Sequence, residues 1–300
     1  MAQGSTRRRD FLKVAGCAAL TIVGANNRVN VAFIGVGRMG ARNIGYAAKV
    51  PGFRIAAVCD VYQPALKDFR EILADPSIDA VCISTPDHSN ACMTVEACRA
   101  GKDVYVETPA FVHVEEGVKM VQAARKYKRV VQAGTVERSS ASVQRAREMV
   151  KGGALGEVRF CRAFEAAATD GGVHVIDILQ FAFDEAMPVS VTAQGSTPDT
   201  MLATFRYPGF VASYESRAGN TYGTAFHGTK ATLMVIPAAD PHVAHWKNFL
   251  ECIRTRAKPA SEIETCVRST ATCVLAHTAM RHGMTLNWDE KAWKLEVESL

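Results

Sequence analysis

The stretch VNVAFIGVGRMG, residues 29–40, is an apolar, β-branched run that ends in Gly35, Gly37 and Gly40 at the spacing GxGxxG. Such a run reads as a parallel strand buried on both faces. The first glycine lets the chain turn tightly, the second lets backbone approach a pyrophosphate, and the third lets the next helix pack on the strand. Arg38 and Met39 fill the turn, and a helical stretch follows from Ala41 to Lys49. Twenty residues beyond Gly40, Asp60 closes a second run, FRIAAVCD, where a carboxylate can receive a ribose. A tight strand-to-helix turn with no ligand is the simpler alternative. The answering carboxylate favours a dinucleotide site.

The chain has 300 residues, 48% hydrophobic and 22% charged, which describes a globular protein of about two domains. Its formal charge is +5, but Arg7, Arg8, Arg9 and Lys13 against Asp10 supply +3, leaving +2 for residues 26–300. No nucleic-acid footprint remains on the body of the chain. The opening STRRRDFLK is followed by the twelve-residue apolar segment VAGCAALTIVGA, a twin-arginine pattern with an apolar core too short to span a bilayer. Residues 1–25 are therefore expected to be a twin-arginine signal, with Val23-Gly24-Ala25 as its cleavage site and the periplasm as destination. Val14-Ala15-Gly16-Cys17 resembles a lipobox, yet too few apolar residues precede the cysteine for lipid anchoring to be the better reading. The cysteines at 59, 82, 92, 98, 161, 252, 266 and 273 show no CxxC pair and no zinc-type spacing, so buried thiols are expected and no metal site.

From residue 29 to about 138, strands and helices alternate. Strands are expected at 53–59, 79–84, 102–107 and 130–135, with helices near 63–74, 88–100 and 113–128. Alternation of this kind predicts a doubly wound α/β domain over 26–138, a parallel sheet with helices on both faces. Its ligand belongs outside the carboxyl ends of the strands. The residues there are Gly35 to Gly40, Asp60, Thr85-Pro86-Asp87-His88, Glu107-Thr108-Pro109 and Gly134-Thr135.

Residues 139–300 change character. After a helix at 141–151 come a long strand in GEVRFCRAFEAA and a short helix near 173–183. Strands follow at 189–194, 201–206, 210–217 and 224–235, then helices near 242–256 and 264–282. Turns such as Tyr207-Pro208-Gly209 join antiparallel neighbours, which predicts an α+β domain on an open, mainly antiparallel sheet. Within TDGGVHVIDILQFAF, residues 169–183, Asp170 and His174 lie a helical turn apart. An imidazole beside a carboxylate suits the removal of a hydroxyl proton. A helix cap and a buried structural histidine are the plainer alternatives.

GVGRMG, AAVCD, STPDH, GKDVYVETPA, GTVERS, TDGGVHVID and HWKNFLECIRTR…TLNWD, in this order, resemble the Gfo/Idh/MocA oxidoreductases, particularly an exported, twin-arginine branch. The resemblance implies a Rossmann domain holding NAD tightly, a carbohydrate or polyol substrate, and a second domain used for homo-oligomerisation. It makes His174 the proton acceptor and Asp170 its partner or a substrate ligand. Asp177 continues the motif, with a structural role as the expectation. Asp60 matches the ribose acid, and since a carboxylate repels a 2′-phosphate, NAD is favoured over NADP. Thr85, Pro86 and His88 match the loop passing the nicotinamide, and Glu107 matches the acid preceding the family's lysine.

Thr108 stands where the resemblance calls for that lysine and cannot supply a cation. Asn90 and Cys266 stand at two family histidine positions, and the segments before His174 and near Gly195 are trimmed. The reading is thus an NAD-dependent oxidoreductase of a sugar hydroxyl with retained cofactor. Two alternatives stay open: a redox-neutral glycosidase or lyase that oxidises its sugar transiently, and a non-catalytic binding paralogue.

Overall fold

The computed structural model describes residues 28–61, 68–166, 172–217, 219, 221–237, 240–289 and 293–297. Strands β1 (Val29–Ile34), β2 (Phe53–Cys59), β3 (Ala80–Ile83), β4 (Asp103–Val106) and β5 (Val131–Ala133) form a parallel sheet in the order β2-β1-β3-β4-β5. Every residue of β3 and β4 is buried, as strands covered on both faces require. The pleat divides the core in two. Val31 and Phe33 join Tyr105 on one face, while Ala32 and Ile34 join Val104 and Val106 on the other.

The connecting helices are α1 (Arg38–Ala48), α2 (Phe69–Ala74), α3 (Asp87–Arg99) and α4 (Val114–Lys126). The helix expected over 63–74 is described only from Phe69, and its first turn is fixed by Asp68, which accepts the Arg70 N–H at 2.7 Å. The order of strands reverses beside β1, so the loops after β1 and β3 part there and open the crevice in which such sheets bind ligands.

A 3-10 turn (Val136–Ser139) and α5 (Ala141–Lys151) lead to the second sheet. It comprises β6 (Val158–Glu165), β7 (Ser190–Gly195), β8 (Met201–Tyr207), β9 (Phe210–Ser216), β10 (Gly223–Gly228) and β11 (Thr232–Val235), with α6 (Val173–Ala182) between β6 and β7. Helices α7 (His242–Thr255) and α8 (Ile263–His282) come next, and β12 (Leu286–Asp289) and β13 (Lys294–Val297) end the described chain. The order is β11-β10-β6-β9-β8-β7-β12-β13, antiparallel throughout except where β6 meets β9. Residues of β8 alternate strictly between buried and exposed, so one face is packed and the other is open.

Two details differ from the expectation. The single strand expected at 224–235 is a hairpin, β10 and β11, because the chain turns at Gly228, whose N–H bonds the Ala231 carbonyl at 3.0 Å. A Cβ at Gly228 would collide with the Leu155 carbonyl, so the turn also packs closely on the segment before β6. The hairpin β12–β13 was not foreseen either, since a four-residue strand such as LNWD carries too little alternation to be read. Of the eight cysteines from Cys59 to Cys273, seven are buried as expected and Cys92 is exposed on α3. Burial pushes the Cys98, Cys161 and Cys266 thiols up to about 12, which keeps them protonated.

Helix α8 packs against strands of both sheets, and α7 lies against the first. Trp246 of α7 is fully buried on the first sheet, stacked on Tyr105 with ring centroids 4.5 Å apart and edge-on to Phe53 at 5.5 Å. Ala133 of β5 donates its N–H to the Ser261 carbonyl at 2.9 Å, so the segment ahead of α8 lies along the edge of the first sheet. These contacts hold the end of β5 against elements from the second half, and the candidate site lies at that junction.

Candidate active site

The cofactor end is built from the glycine turn. Gly35 has φ +83° and passes so close to β3 that a Cβ would lie 2.5 Å from the Ser84 carbonyl oxygen. At Gly40 a Cβ would drive into the Gly35 carbonyl, which is the close helix-to-strand packing the third glycine permits. Gly37 differs, for a Cβ there meets nothing within 4 Å. It caps α1 with no side-chain hydrogen bond and no acid in the first turn, so the helix N-terminus faces open space. Arg38 is exposed beside it and Met39 half-buried. Uncapped N–H groups and the positive end of the helix dipole suit a pyrophosphate.

Asp60 stands at the end of β2, its Oδ2 accepting the Val36 N–H at 2.8 Å. The acid is thereby fastened to the glycine turn at the ribose end of the crevice. These residues fit NAD by their own chemistry: a cradle beside Gly37, free helical donors and a carboxylate acceptor.

The opposite end of the crevice is formed by the loops after β3, β4 and β5. Thr85 donates its hydroxyl to Asn90 Oδ1 at 2.8 Å, and Asn90 Nδ2 donates to the Pro109 carbonyl at 3.0 Å. The loops after β3 and β4 are thus latched together by Asn90, a residue the sequence marked only as a replacement. Pro86 caps α3 and His88 is exposed in its first turn. The Thr108–Pro109 peptide is cis. Glu107 is buried, and its Oε1 accepts from Asn43 Nδ2 at 2.7 Å, whose Oδ1 in turn accepts the Trp246 indole N–H at 3.3 Å. Its other oxygen lies where a Cβ on Gly134 would come within 2.5 Å. Glu107 therefore braces the strand ends from within.

Thr108 and His174, sixty-six residues apart, come together with Oγ1 3.4 Å from Nε2. Gly172 starts α6 in the left-handed region, φ +83°, seated on the Tyr214 ring where a Cβ would come within 2.6 Å. Tyr214 is itself fixed by a 2.5 Å hydrogen bond from its hydroxyl to Glu165. One turn beyond His174, Asp177 is fully buried and forked to Arg138 at 2.7 and 2.8 Å, with the Ser269 hydroxyl donating at 3.0 Å. The structural role expected of Asp177 is what the geometry shows. Asp170 lies outside the described residues.

Sequence reasoning missed Arg138, which also bonds Glu185 at 2.7 and 2.8 Å and lies under the Phe181 ring. It missed His245 as well. His245 is fully buried, donating from Nε2 to the Ala133 carbonyl at 2.8 Å and accepting at Nδ1 from the Ser139 hydroxyl at 2.7 Å. Burial pulls this imidazole down from 6.5 to about 4. The unfolded chain binds the proton near pH 6.5 and the folded chain only near 4, so this contribution to stability is full above pH 6.5 and is lost as pH falls to 4. Its size is about 3 kcal/mol. Unfolding free energies measured across that window should slope for the parent, and the slope should be shallower in His245→Asn.

The fold and site define a dinucleotide-binding α/β domain joined to a second sheet domain, with a histidine brought to the carboxyl edge of the first sheet. Residues 29–135 match the sequence model described as "Oxidoreductase family, NAD-binding Rossmann fold", that of Gfo/Idh/MocA. Residues 29–135 are thus similar to the NAD-binding domain of the Gfo/Idh/MocA oxidoreductases.

Among curated relatives, an inositol 2-dehydrogenase of Mycolicibacterium vanbaalenii is 28% identical over 202 residues, 58% of this chain and 59% of that protein. A glycosyl hydrolase family 109 protein of Shewanella baltica is 28% identical over 169 residues, 40% of this chain and 37% of that protein. The chain thus spans 37–59% of the length of these relatives. Among solved structures, scyllo-inositol dehydrogenase from Lactobacillus casei with NAD(H) and scyllo-inositol superposes with a TM-score of 0.76 at 18% identity, covering 87% of this chain and 99% of that one. The fold is therefore shared.

Proposed function

We propose that this protein is an NAD-dependent oxidoreductase acting on a hydroxyl of a sugar or polyol, with its cofactor retained between turnovers. The observation that carries the reading is the meeting of Thr108 and His174 at the carboxyl end of β4, across the crevice from the glycine turn. Bound NAD supplies the hydride acceptor. His174 takes the hydroxyl proton, with Thr108 bonded to the ring and Asp170 as the sequence-assigned partner. The relatives named as inositol dehydrogenases support a polyol as substrate.

The twin-arginine pattern of residues 1–25 supports export to the periplasm, and a protein working there without a free NAD pool needs a held cofactor. The open face of the second sheet carries Phe160, Leu202, Val211 and Met234 in exposed positions, which supports a homo-oligomer formed through that face. Thr108 at the position where the resemblance calls for lysine, together with the similarity to a family 109 glycosyl hydrolase, keeps a second reading in which oxidation is transient and the product leaves by elimination.

The test is to purify the protein, release and identify its nucleotide, and screen polyols, sugars and glycosides while following both reduced nicotinamide and products. NADH accumulating with a polyol supports the first reading. Product without NADH supports the second, and protein that neither retains nor binds NAD(H) overturns both.

A further inference from the structure

Thr108 meets His174 with a short side chain, where the resemblance calls for the long, flexible stem of a lysine. A long side chain adapts to a displaced backbone, but a threonine hydroxyl goes where its Cα is put. At 3.4 Å from Nε2, Thr108 Oγ1 is near the limit of a hydrogen bond, so a shift of the loop by about 1 Å would lose it. The placement of the loop after β4 is therefore part of the site.

That loop is gripped on both sides of Thr108. On one side the Thr108 N–H donates to Glu107 Oε2 at 3.4 Å, and Glu107 is itself held by Asn43 Nδ2 at 2.7 Å. On the other, Asn90 Nδ2 donates to the Pro109 carbonyl at 3.0 Å. Asn90 is 1% exposed and belongs to α3, so its amide is set by a helix rather than by the loop it holds. Its Oδ1 takes the Thr85 hydroxyl at 2.8 Å, which engages both ends of the amide and fixes the way it faces. Thr85 Oγ1 also lies 3.7 Å from Met93 Sδ of the same helix. Beyond Pro109 the chain is buried at Ala110 and Phe111, which leaves Glu107, Thr108 and Pro109 to bridge from β4. Asn90 grips the last of them.

We propose that Asn90 is a positioning residue for His174, acting through the Pro109 carbonyl to hold the Thr108 hydroxyl against the imidazole. The inference rests on the reading of His174 as proton acceptor. A hydroxyl donates to a neutral ring and accepts from a protonated one, so Thr108 can stay bonded through the transfer provided that its backbone does not move. No bond to Asn90 forms or breaks, and the amide takes no part in the proton's path.

The experiment follows the His174 ring signals by NMR in histidine-labelled protein, assigned by their loss in His174→Asn, through a cycle of Asn90→Ala, Thr108→Val and the two together. Thr108→Val is expected to shift the His174 signals and Asn90→Ala to shift them in the same direction, while Asn90→Ala adds little in the Thr108→Val background. With a polyol that the parent oxidises, Asn90→Ala lowers kcat by about 3- to 10-fold alone and by less than about 2-fold in the Thr108→Val background. Asn90→Asp, of the same size, keeps an acceptor for Thr85 and loses the donor to Pro109, so it should behave as Asn90→Ala does and serves if the alanine variant does not fold. His174 signals that stay in place in a folded Asn90 variant, or that move equally in the parent and Thr108→Val backgrounds, overturn the proposal. Coupled shifts in a protein whose parent oxidises no polyol uphold the positioning and overturn instead the reading on which its catalytic use rests.

Discussion

Arg138→Ala is expected to destabilise the protein by about 3–5 kcal/mol, because it strands a buried carboxylate. Asp177 has a side-chain exposure of 1% and Arg138 of 2%, so neither can turn to water when its partner is removed. With the guanidinium gone, Asp177 keeps, among the described residues, the Ser269 hydroxyl, and Glu185 loses both of its bonds to the same fork. The Phe181 ring loses one cation contact too and keeps that of Arg147, whose guanidinium carbon lies 4.4 Å from the ring centroid. Denaturant unfolding should therefore show a lowered midpoint with little change in slope. The paired replacement Arg138→Met with Asp177→Leu removes the charges together and should recover much of the loss. A single-variant loss below about 1 kcal/mol would mean that water reaches Asp177 and that the clamp is not what fixes α6.

Arg138 also shows where sequence reading stops. The first sheet was legible because its signals are local: the apolar runs, the glycine spacing and Asp60 all lie within a few turns of the elements they define. Even the reversal of strand order beside β1 follows from a dinucleotide fingerprint on the first strand. The Arg138 clamp joins residues 39 and 47 positions apart, and nothing in the string ERSS distinguishes it from a surface charge. His245 is hidden in the same way, since its partners Ser139 and Ala133 belong to the other half of the chain.

Glu107 shows what a motif leaves open about a side chain's direction. The family resemblance sets it with the cofactor residues, and its carboxylate accepts from Asn43 and packs against Gly134 inside the strand ends. A motif preserves a residue's position in the chain but not the direction of its side chain. Thr108, the next residue, does face the crevice. Its contact with His174 joins a loop of the first sheet to a helix of the second half, a meeting the sequence could only suggest.

His174→Ala is expected to lower the rate of polyol oxidation by at least about 100-fold, the ordinary worth of a positioned general base. The loss should fall on kcat with the bound nucleotide unaffected, because the groups that suit NAD lie elsewhere, at Gly37, the start of α1 and Asp60. His174→Asn is the sharper comparison. It preserves a polar group toward Thr108 but cannot carry the proton at neutral pH, so its rate should match that of the alanine variant. Thr108→Val removes the hydroxyl 3.4 Å from Nε2 and leaves the imidazole in place, so a smaller loss is expected, about 10-fold or less. Rates should be measured in single turnover with the native nucleotide, so that hydride transfer is read apart from product release. If His174→Ala oxidises the polyol at the parent rate, the histidine is a structural member of α6 and the proton must leave by another group. If rate falls but nucleotide is also lost, the substitution has disturbed the crevice through the loop after β4, and the ordering of α6 by Arg138, Asp177 and the Gly172–Tyr214 contact becomes the property to restore before the chemistry can be assigned.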